Sequence, residues 1–190
     1  MNQQVLLAQE AFRLFISALS YVGEVKQLPD SPQAVLPIGK YLYALTFLDQ
    51  EVSYASLGLS EEQEAVLTHE FRTKKVAISV AQTVFVDLIN QPSLDVSPIK
   101  QVSIGNLIDP QLSATIVVSV SQLYGDNTYI LTGPGIKSQL TLGLTKALSE
   151  LLVIRQELNQ EYPLGIDMLV IDQSGKMLGL PRTTVIQEVN

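Results

Sequence analysis

The chain has 190 residues, no cysteine and a formal net charge of -7. Without cysteine, disulfides, thiolate catalysis and zinc-thiolate sites are excluded, and an acidic chain with no basic stripe argues against a nucleic-acid partner. Charged residues make up 16% of the sequence and the mean hydropathy is +0.24, whereas soluble domains usually carry about 25% charged residues. We therefore expect the protein to bury surface in a homo-oligomer or a larger complex.

The length and the first residues set further expectations. A chain of this size favours a single domain over residues 1–190, with a core that needs no metal or disulfide. The N-terminus has no basic segment ahead of an apolar stretch, and nowhere do about 18 apolar residues run together. We predict a cytoplasmic protein with no membrane partner and no cofactor.

Helical spacing of apolar residues predicts a first helix over residues 3–20. The proposed inward positions are Val5, Ala8, Phe12, Phe15, Ile16 and Leu19. The polar stripe that includes Arg13 is either a solvated face or one wall of a site. A second helix is predicted from Pro37 to Leu48 and a short strand from Val52 to Leu57. Asp49 and Glu51 lie between these two elements, where they form either a metal or general-base pair or an exposed turn.

The middle of the chain alternates predicted strands and helices. Ser60 to Gln63 reads as a capping box that opens a helix to about Arg72. One or two strands are predicted over residues 76–86, and strands 114–120 and 128–132 are predicted to form a hairpin around the turn sequence at 124–127. A long helix is predicted from Leu144 to Leu158.

The stretch from Tyr162 to Val185 carries the strongest pattern. Its apolar run Ile166–Ile171 suits a strand buried on both faces, and residues 172–175 form a short polar connection to a return strand. With Asp167 opposite Leu180, Arg182 lies one diagonal step away, so a charge pair is predicted. That pair is as well explained by a structural role in the hairpin as by ligand binding. Thr183 and Thr184 fit an ordinary strand or edge by propensity.

These elements predict an α/β layered sandwich with a mixed sheet. Because His69 is the only histidine, a Ser-His-Asp triad or a multi-histidine metal site is close to excluded. The sequence Gly133-Pro134-Gly135 follows a strand, but it matches no phosphate-binding loop and is better explained as a tight turn. The residues alone thus indicate no catalytic constellation.

The order of the motifs resembles one family. Residues 162–167 and 180–184 resemble the paired PLGID and PRTT signatures of the H subunit of the bacterial carbon-phosphorus lyase system, the PhnH family. Residues 45–49 and 131–136 resemble its LTL-x-D and LTG-x-GI segments. The chain departs from the family pattern at Val22, where the family favours proline, and at Arg72, where it favours histidine.

The resemblance implies a three-layer fold like a reduced pyridoxal-phosphate transferase without the cofactor's lysine site. It also implies homodimers and assembly with subunits G, I and J in a complex that joins a phosphonate to the ribose of ATP. Our leading hypothesis is an accessory, non-catalytic subunit of that complex. The alternative is a stand-alone binder or enzyme for a phosphonate or nucleotide anion, which would use Arg13, Arg182 and the backbone at 133–135. The candidate functional or interface residues are Arg13, Asp49, Glu51, Asp167, Arg182, Thr183 and Thr184.

Overall fold

The computed structural model describes residues 3–30 and 35–189. Within these ranges the helices are α1 (Gln3–Ser20), α2 (Ile38–Phe47), α3 (Glu61–Glu70) and α4 (Ser149–Leu158). The strands are β1 (Lys26–Gln27), β2 (Ser53–Leu57), β3 (Lys74–Lys75), β4 (Thr83–Asp87), β5 (Thr115–Val120), β6 (Tyr124–Thr132), β7 (Leu140–Leu144), β8 (Asp167–Asp172), β9 (Lys176–Leu180) and β10 (Val185–Val189).

Seven strands form one large mixed sheet in the order β1-β9-β8-β5-β4-β2-β3. The strands from β8 to β3 run parallel, whereas β9 and β1 are antiparallel to their neighbours. A separate antiparallel sheet has the order β10-β6-β7. The mixed α/β class is therefore confirmed, and the smaller sheet is an addition that the sequence pattern did not predict.

The large sheet has an apolar core on each face. One core contains Phe15 of α1 and Leu42 of α2, and the other contains Leu151 of α4. Successive residues of β5 alternate between the two, so that Ile116 and Val117 are both fully buried. Strands covered on both faces read as continuous apolar runs, which explains the composition of β4, β5 and β8. Nothing in this arrangement supports the likeness to pyridoxal-phosphate transferases.

Helix α1 has the predicted bounds but a different inward face. Its buried residues are Ala11, Phe15 and Ala18, whereas Phe12 and Ile16 are about half exposed. The reason is close packing on β9, because a Cβ on Gly179 would lie 2.3 Å from the carbonyl oxygen of Ala18. Only small side chains fit at such an approach, which turns the larger apolar side chains outward.

The hairpin predicted over residues 114–132 was wrong. Strand β5 lies inside the large sheet between β4 and β8, whereas β6 starts within the predicted turn and pairs with β7 and β10. A largely apolar strand such as β5 gains more from burial between two neighbouring strands than from a two-stranded hairpin, which is only marginally stable alone. The last helix also begins later than predicted, at Ser149, because Leu144 ends β7.

The remaining local patterns fold largely as expected. The Ser60 hydroxyl accepts a hydrogen bond from the Gln63 backbone and the Gln63 side chain accepts one from the Ser60 backbone, which confirms the capping box. Strands β8 and β9 form the predicted hairpin, but Leu180 pairs with Met168, one residue from the predicted register. Val22 is buried in the core, and Arg72 follows α3 with a φ of +56°. Within residues 3–30 and 35–189, no helix combines the length and apolar character needed to cross a membrane.

Candidate functional site

The predicted pair of Asp167 and Arg182 forms at the amino-terminal edge of the parallel strands. Arg182 Nη2 lies 2.7 Å from Asp167 Oδ2, and the Arg182 backbone N–H donates to Asp167 Oδ1 at 2.7 Å. The side chain of Arg182 is 17% exposed and that of Asp167 is 25% exposed. The aspartate in the apolar strand is thus stabilised by both the charge and the backbone of the residue that follows Pro181.

The other donors of Arg182 also contact protein acceptors. Nη1 donates to the carbonyl oxygens of Pro110 at 3.0 Å and Pro163 at 3.3 Å, and Nη2 donates to Ser113 Oγ at 2.6 Å. Nε faces Asp167 Oδ1 at 3.5 Å. A guanidinium has five N–H groups, and here each has an acceptor within the chain. Arg182 therefore ties together three segments and has no N–H left for an anion.

A second arginine, which the sequence analysis did not single out, lies behind this pair. Arg155 of α4 is 1% exposed. Its Nη1 donates to the Thr184 carbonyl at 3.1 Å, and its Nη2 donates to the carbonyls of Pro181 at 2.6 Å and Leu180 at 3.3 Å. Burial lowers the pKa of Arg155 to about 10, against the opposing charge of Asp167, so the side chain stays charged at neutral pH. The sequence feature that could have indicated this residue is a single arginine among the apolar residues of a predicted helix.

Thr183 and Thr184 lie in a turn and not in a strand, contrary to their propensity. The Thr184 N–H donates to the Pro181 carbonyl at 2.9 Å, which closes the turn before β10. Thr184 is buried, and its hydroxyl has no hydrogen-bond partner among the described residues. Thr183 lines a surface hollow of about 320 Å³ together with Pro134 and Tyr162. Residues 162–184, which we call the signature segment, are therefore held by hydrogen bonds within the fold, while Tyr162 and Thr183 lie at the surface.

The other candidate residues lie in exposed positions. Asp49 Oδ1 accepts hydrogen bonds from the N–H groups of Glu51 at 2.8 Å and Val52 at 3.2 Å. This is an Asx turn, the exposed-turn alternative of the two that the sequence left open. In the described part of the chain, no three histidine, cysteine or acidic residues form a group that could hold a metal ion. Arg13 is exposed on α1, beside a hollow of about 450 Å³ that Phe12 and Thr46 also line.

A buried ion pair that was not predicted from the sequence lies at the carboxyl ends of the parallel strands. Lys40 Nζ of α2 lies 2.9 Å from Asp87 Oδ2 at the end of β4, and the two side chains are 0% and 1% exposed. The other oxygen of Asp87 accepts the Ile89 N–H at 2.9 Å. Burial lowers the pKa of Lys40, and the charge of Asp87 opposes this effect by raising it. A lysine inside an apolar helix and an aspartate ending an apolar strand were the two signals.

Comparison with known proteins agrees with the motifs of the signature segment. Residues 1–187 match the family model described as "Bacterial phosphonate metabolism protein (PhnH)". The chain belongs to the PhnH family. A curated relative, the "Putative C-P lyase subunit protein HtxG" of Stutzerimonas stutzeri, is 29% identical over 182 residues, which cover 94% of this chain and 85% of the relative. The resemblance to the PhnH family drawn from residues 162–184 is thus confirmed.

The structure gives the PhnH signature a physical role in this chain. Its PLGID aspartate is Asp167 and its PRTT arginine is Arg182, and the two form the ion pair described above. Arg155 lies outside both motifs but holds the carbonyl groups around PRTT. The signature therefore fixes how the chain leaves β9, crosses to the smaller sheet and enters β10. Family membership also places the chain in phosphonate metabolism.

Proposed function

We propose that this chain is an accessory, non-catalytic subunit of a carbon-phosphorus lyase complex. The observation that carries the proposal is the saturation of Arg182, because the signature arginine is used entirely to hold the fold. The family match and the C-P lyase subunit among its relatives supply the metabolic context. In this proposal the complex joins a phosphonate to the ribose of ATP with loss of adenine, giving a ribose 1-phosphonate 5-triphosphate, and this chain supports the subunits that do the chemistry.

The surface that best suits assembly is the outer face of α1. Val5, Phe12 and Ile16 are each between 46% and 47% exposed and lie on one side of the helix. Two hollows of about 450 and 490 Å³ flank this helix and share Gln9 and Arg13. Covering a half-exposed apolar side chain contributes about 1 kcal/mol. We propose that this face mediates a homodimer of the free chain and contacts with the G, I and J subunits.

The proposal is tested by growth and by turnover. A strain that lacks the chain should fail to grow on an alkylphosphonate as sole phosphorus source, grow normally on phosphate, and recover when the gene is restored. The isolated chain, incubated with ATP and the alkylphosphonate, should release no adenine, whereas the assembled complex should do so. Normal growth on the phosphonate without the chain would refute the need for this subunit, and adenine release by the isolated chain would refute its non-catalytic role.

A further inference from the structure

Between β2 and β4 of the large sheet, the chain connections diverge toward opposite sides. From β2 the chain passes through α3 to β3 on one side, whereas from β4 it proceeds to β5 and β8 on the other side. Leu67 of α3 joins the same core as α2, while Ile99, in the connection after β4, belongs to the core on the opposite face. In open α/β sheets, connections that diverge in this way leave a crevice outside the carboxyl ends of the strands, and ligands bind there.

A cleft of about 240 Å³ lies at this edge of the sheet. Its apolar walls include Leu36 and Ile38 at the start of α2 and Ile89 after β4. Its polar groups are the carboxamides of Gln63, Asn90 and Gln173. None of the side chains that line the cleft is charged. An apolar enclosure with a few polar groups is the usual composition of a small-molecule site.

Two of the three carboxamides are available to a ligand. Gln63 is already used, since its Nε2 donates to the Val35 carbonyl at 3.2 Å and its Oε1 accepts the Ser60 N–H at 3.2 Å. Asn90 and Gln173 are exposed, and their side chains have no hydrogen-bond partner among the described residues. Each offers an N–H₂ donor next to a C=O acceptor.

The charges around the cleft disfavour an anion. Lys40, the buried cation of α2, is paired with Asp87 at 2.9 Å. The first turn of α3, which contributes Gln63 to the cleft, also carries Glu61 and Glu62. The Lys40–Asp87 pair instead holds one wall of the cleft in place, because Asp87 accepts a hydrogen bond from the backbone N–H of Ile89 at 2.9 Å.

We propose that this cleft binds an uncharged planar ring compound that carries adjacent hydrogen-bond donor and acceptor groups, the class to which free nucleobases and nicotinamide belong. The walls formed by Ile38 and Ile89 contact the faces of the ring. The carboxamides of Asn90 and Gln173 pair with its edge, as asparagine and glutamine do with the donor and acceptor edge of adenine. None of the residues that line this cleft belongs to α1, the face proposed for assembly.

The test is a nuclear magnetic resonance titration of the full chain with adenine, cytosine and nicotinamide, with inorganic phosphate as a separate arm. At least one ring compound should give saturable shifts in the side-chain amide signals of Asn90 and Gln173. Asn90→Ala and Gln173→Ala should each weaken binding about fivefold, the loss expected for one hydrogen bond. Gln187→Ala, a matched change of an exposed carboxamide on β10, should leave the affinity unchanged.

Three results would overturn the inference. The first is the absence of saturable binding by all three ring compounds. The second is binding that persists unchanged in both carboxamide variants, which would place the ligand elsewhere. The third is phosphate alone shifting the same two amide signals, which would mean that the cleft takes an anion. Circular dichroism of each variant establishes that it is folded, so that a lost signal reports the ligand contact.

Discussion

Arg182 and Asp167 form the polar pair on which the signature segment depends most. Arg182→Ala removes the partner of a partly buried carboxylate and the guanidinium donor to the carbonyls of Pro110 and Pro163. We expect it to lower the free energy of unfolding by about 3 kcal/mol, measured by urea denaturation. Lys100→Ala is the control, since its pair with Glu157 is about half exposed and should contribute no more than about 0.5 kcal/mol. Equal effects of the two substitutions would contradict the structural role of Arg182.

The Lys40–Asp87 pair is a stricter test, because both side chains are buried. Lys40→Met leaves an uncompensated carboxylate in the core and should cost about 3–5 kcal/mol of unfolding free energy. The double variant Lys40→Met/Asp87→Leu removes both charges and should lie within about 1 kcal/mol of the parent chain or above it. A double-mutant cycle by urea denaturation measures the coupling. A cost below about 1 kcal/mol for Lys40→Met would show that Asp87 gains little from its partner.

At the residue scale, sequence reasoning succeeded where partners are close along the chain. Asp167 and Arg182 flank one hairpin, so they are in contact even though the observed strand register differs by one residue from the predicted register. Lys40 and Asp87 are 47 positions apart, and their pairing depends on how α2 crosses the sheet. No local pattern predicts that crossing, although a charged residue in an apolar element does indicate that a partner exists.

At the scale of the elements, the residue that follows α3 has a backbone conformation that glycine adopts more easily than arginine. Arg72 follows the helix with a φ of +56°, a conformation that is unfavourable for a side chain with a Cβ but free for glycine. Arg72→Gly should therefore raise the free energy of unfolding by about 0.5–1 kcal/mol. Arg72→Ala, which keeps the Cβ, should give no such gain. If the two variants are equally stable in thermal denaturation, backbone strain at position 72 does not destabilise the parent chain.

The bounds of α1 and the start of α3 were predictable, whereas the start of α4 and of β6 and much of the packing were not. The helical period fixed α1 from Gln3 to Ser20, and the capping box at Ser60 fixed the start of α3. The inward face of α1 was not predictable, because it depends on the contact between Ala18 and Gly179, which lie in distant parts of the sequence. The separation of β5 and β6 into two sheets likewise results from competition between pairing partners and not from local propensity.

At the scale of the whole molecule, the composition is explained by burial on both faces of the large sheet and by the exposed face of α1. The apolar surplus read from the sequence predicted an interaction surface without locating it. In the structure, Leu6 and Phe12 are among the half-exposed apolar residues of α1, the face that we propose for assembly, and Leu107 and Ile108 are exposed outside it. By contrast, Asp167 and Arg182 of the signature are partly buried, and they belong to elements other than α1, the surface proposed for assembly.

The most direct measurement is co-expression of this chain with its G, I and J counterparts, followed by gel filtration. We expect a stoichiometric complex that is lost, or reduced at least tenfold in yield, in Phe12→Ser/Ile16→Ser, because the two substitutions remove the apolar contacts of α1. Val80→Ser alters an apolar side chain that is 64% exposed elsewhere and should leave the complex intact. A chain that elutes as a free monomer while G, I and J assemble and function without it would contradict its role as a subunit of the complex.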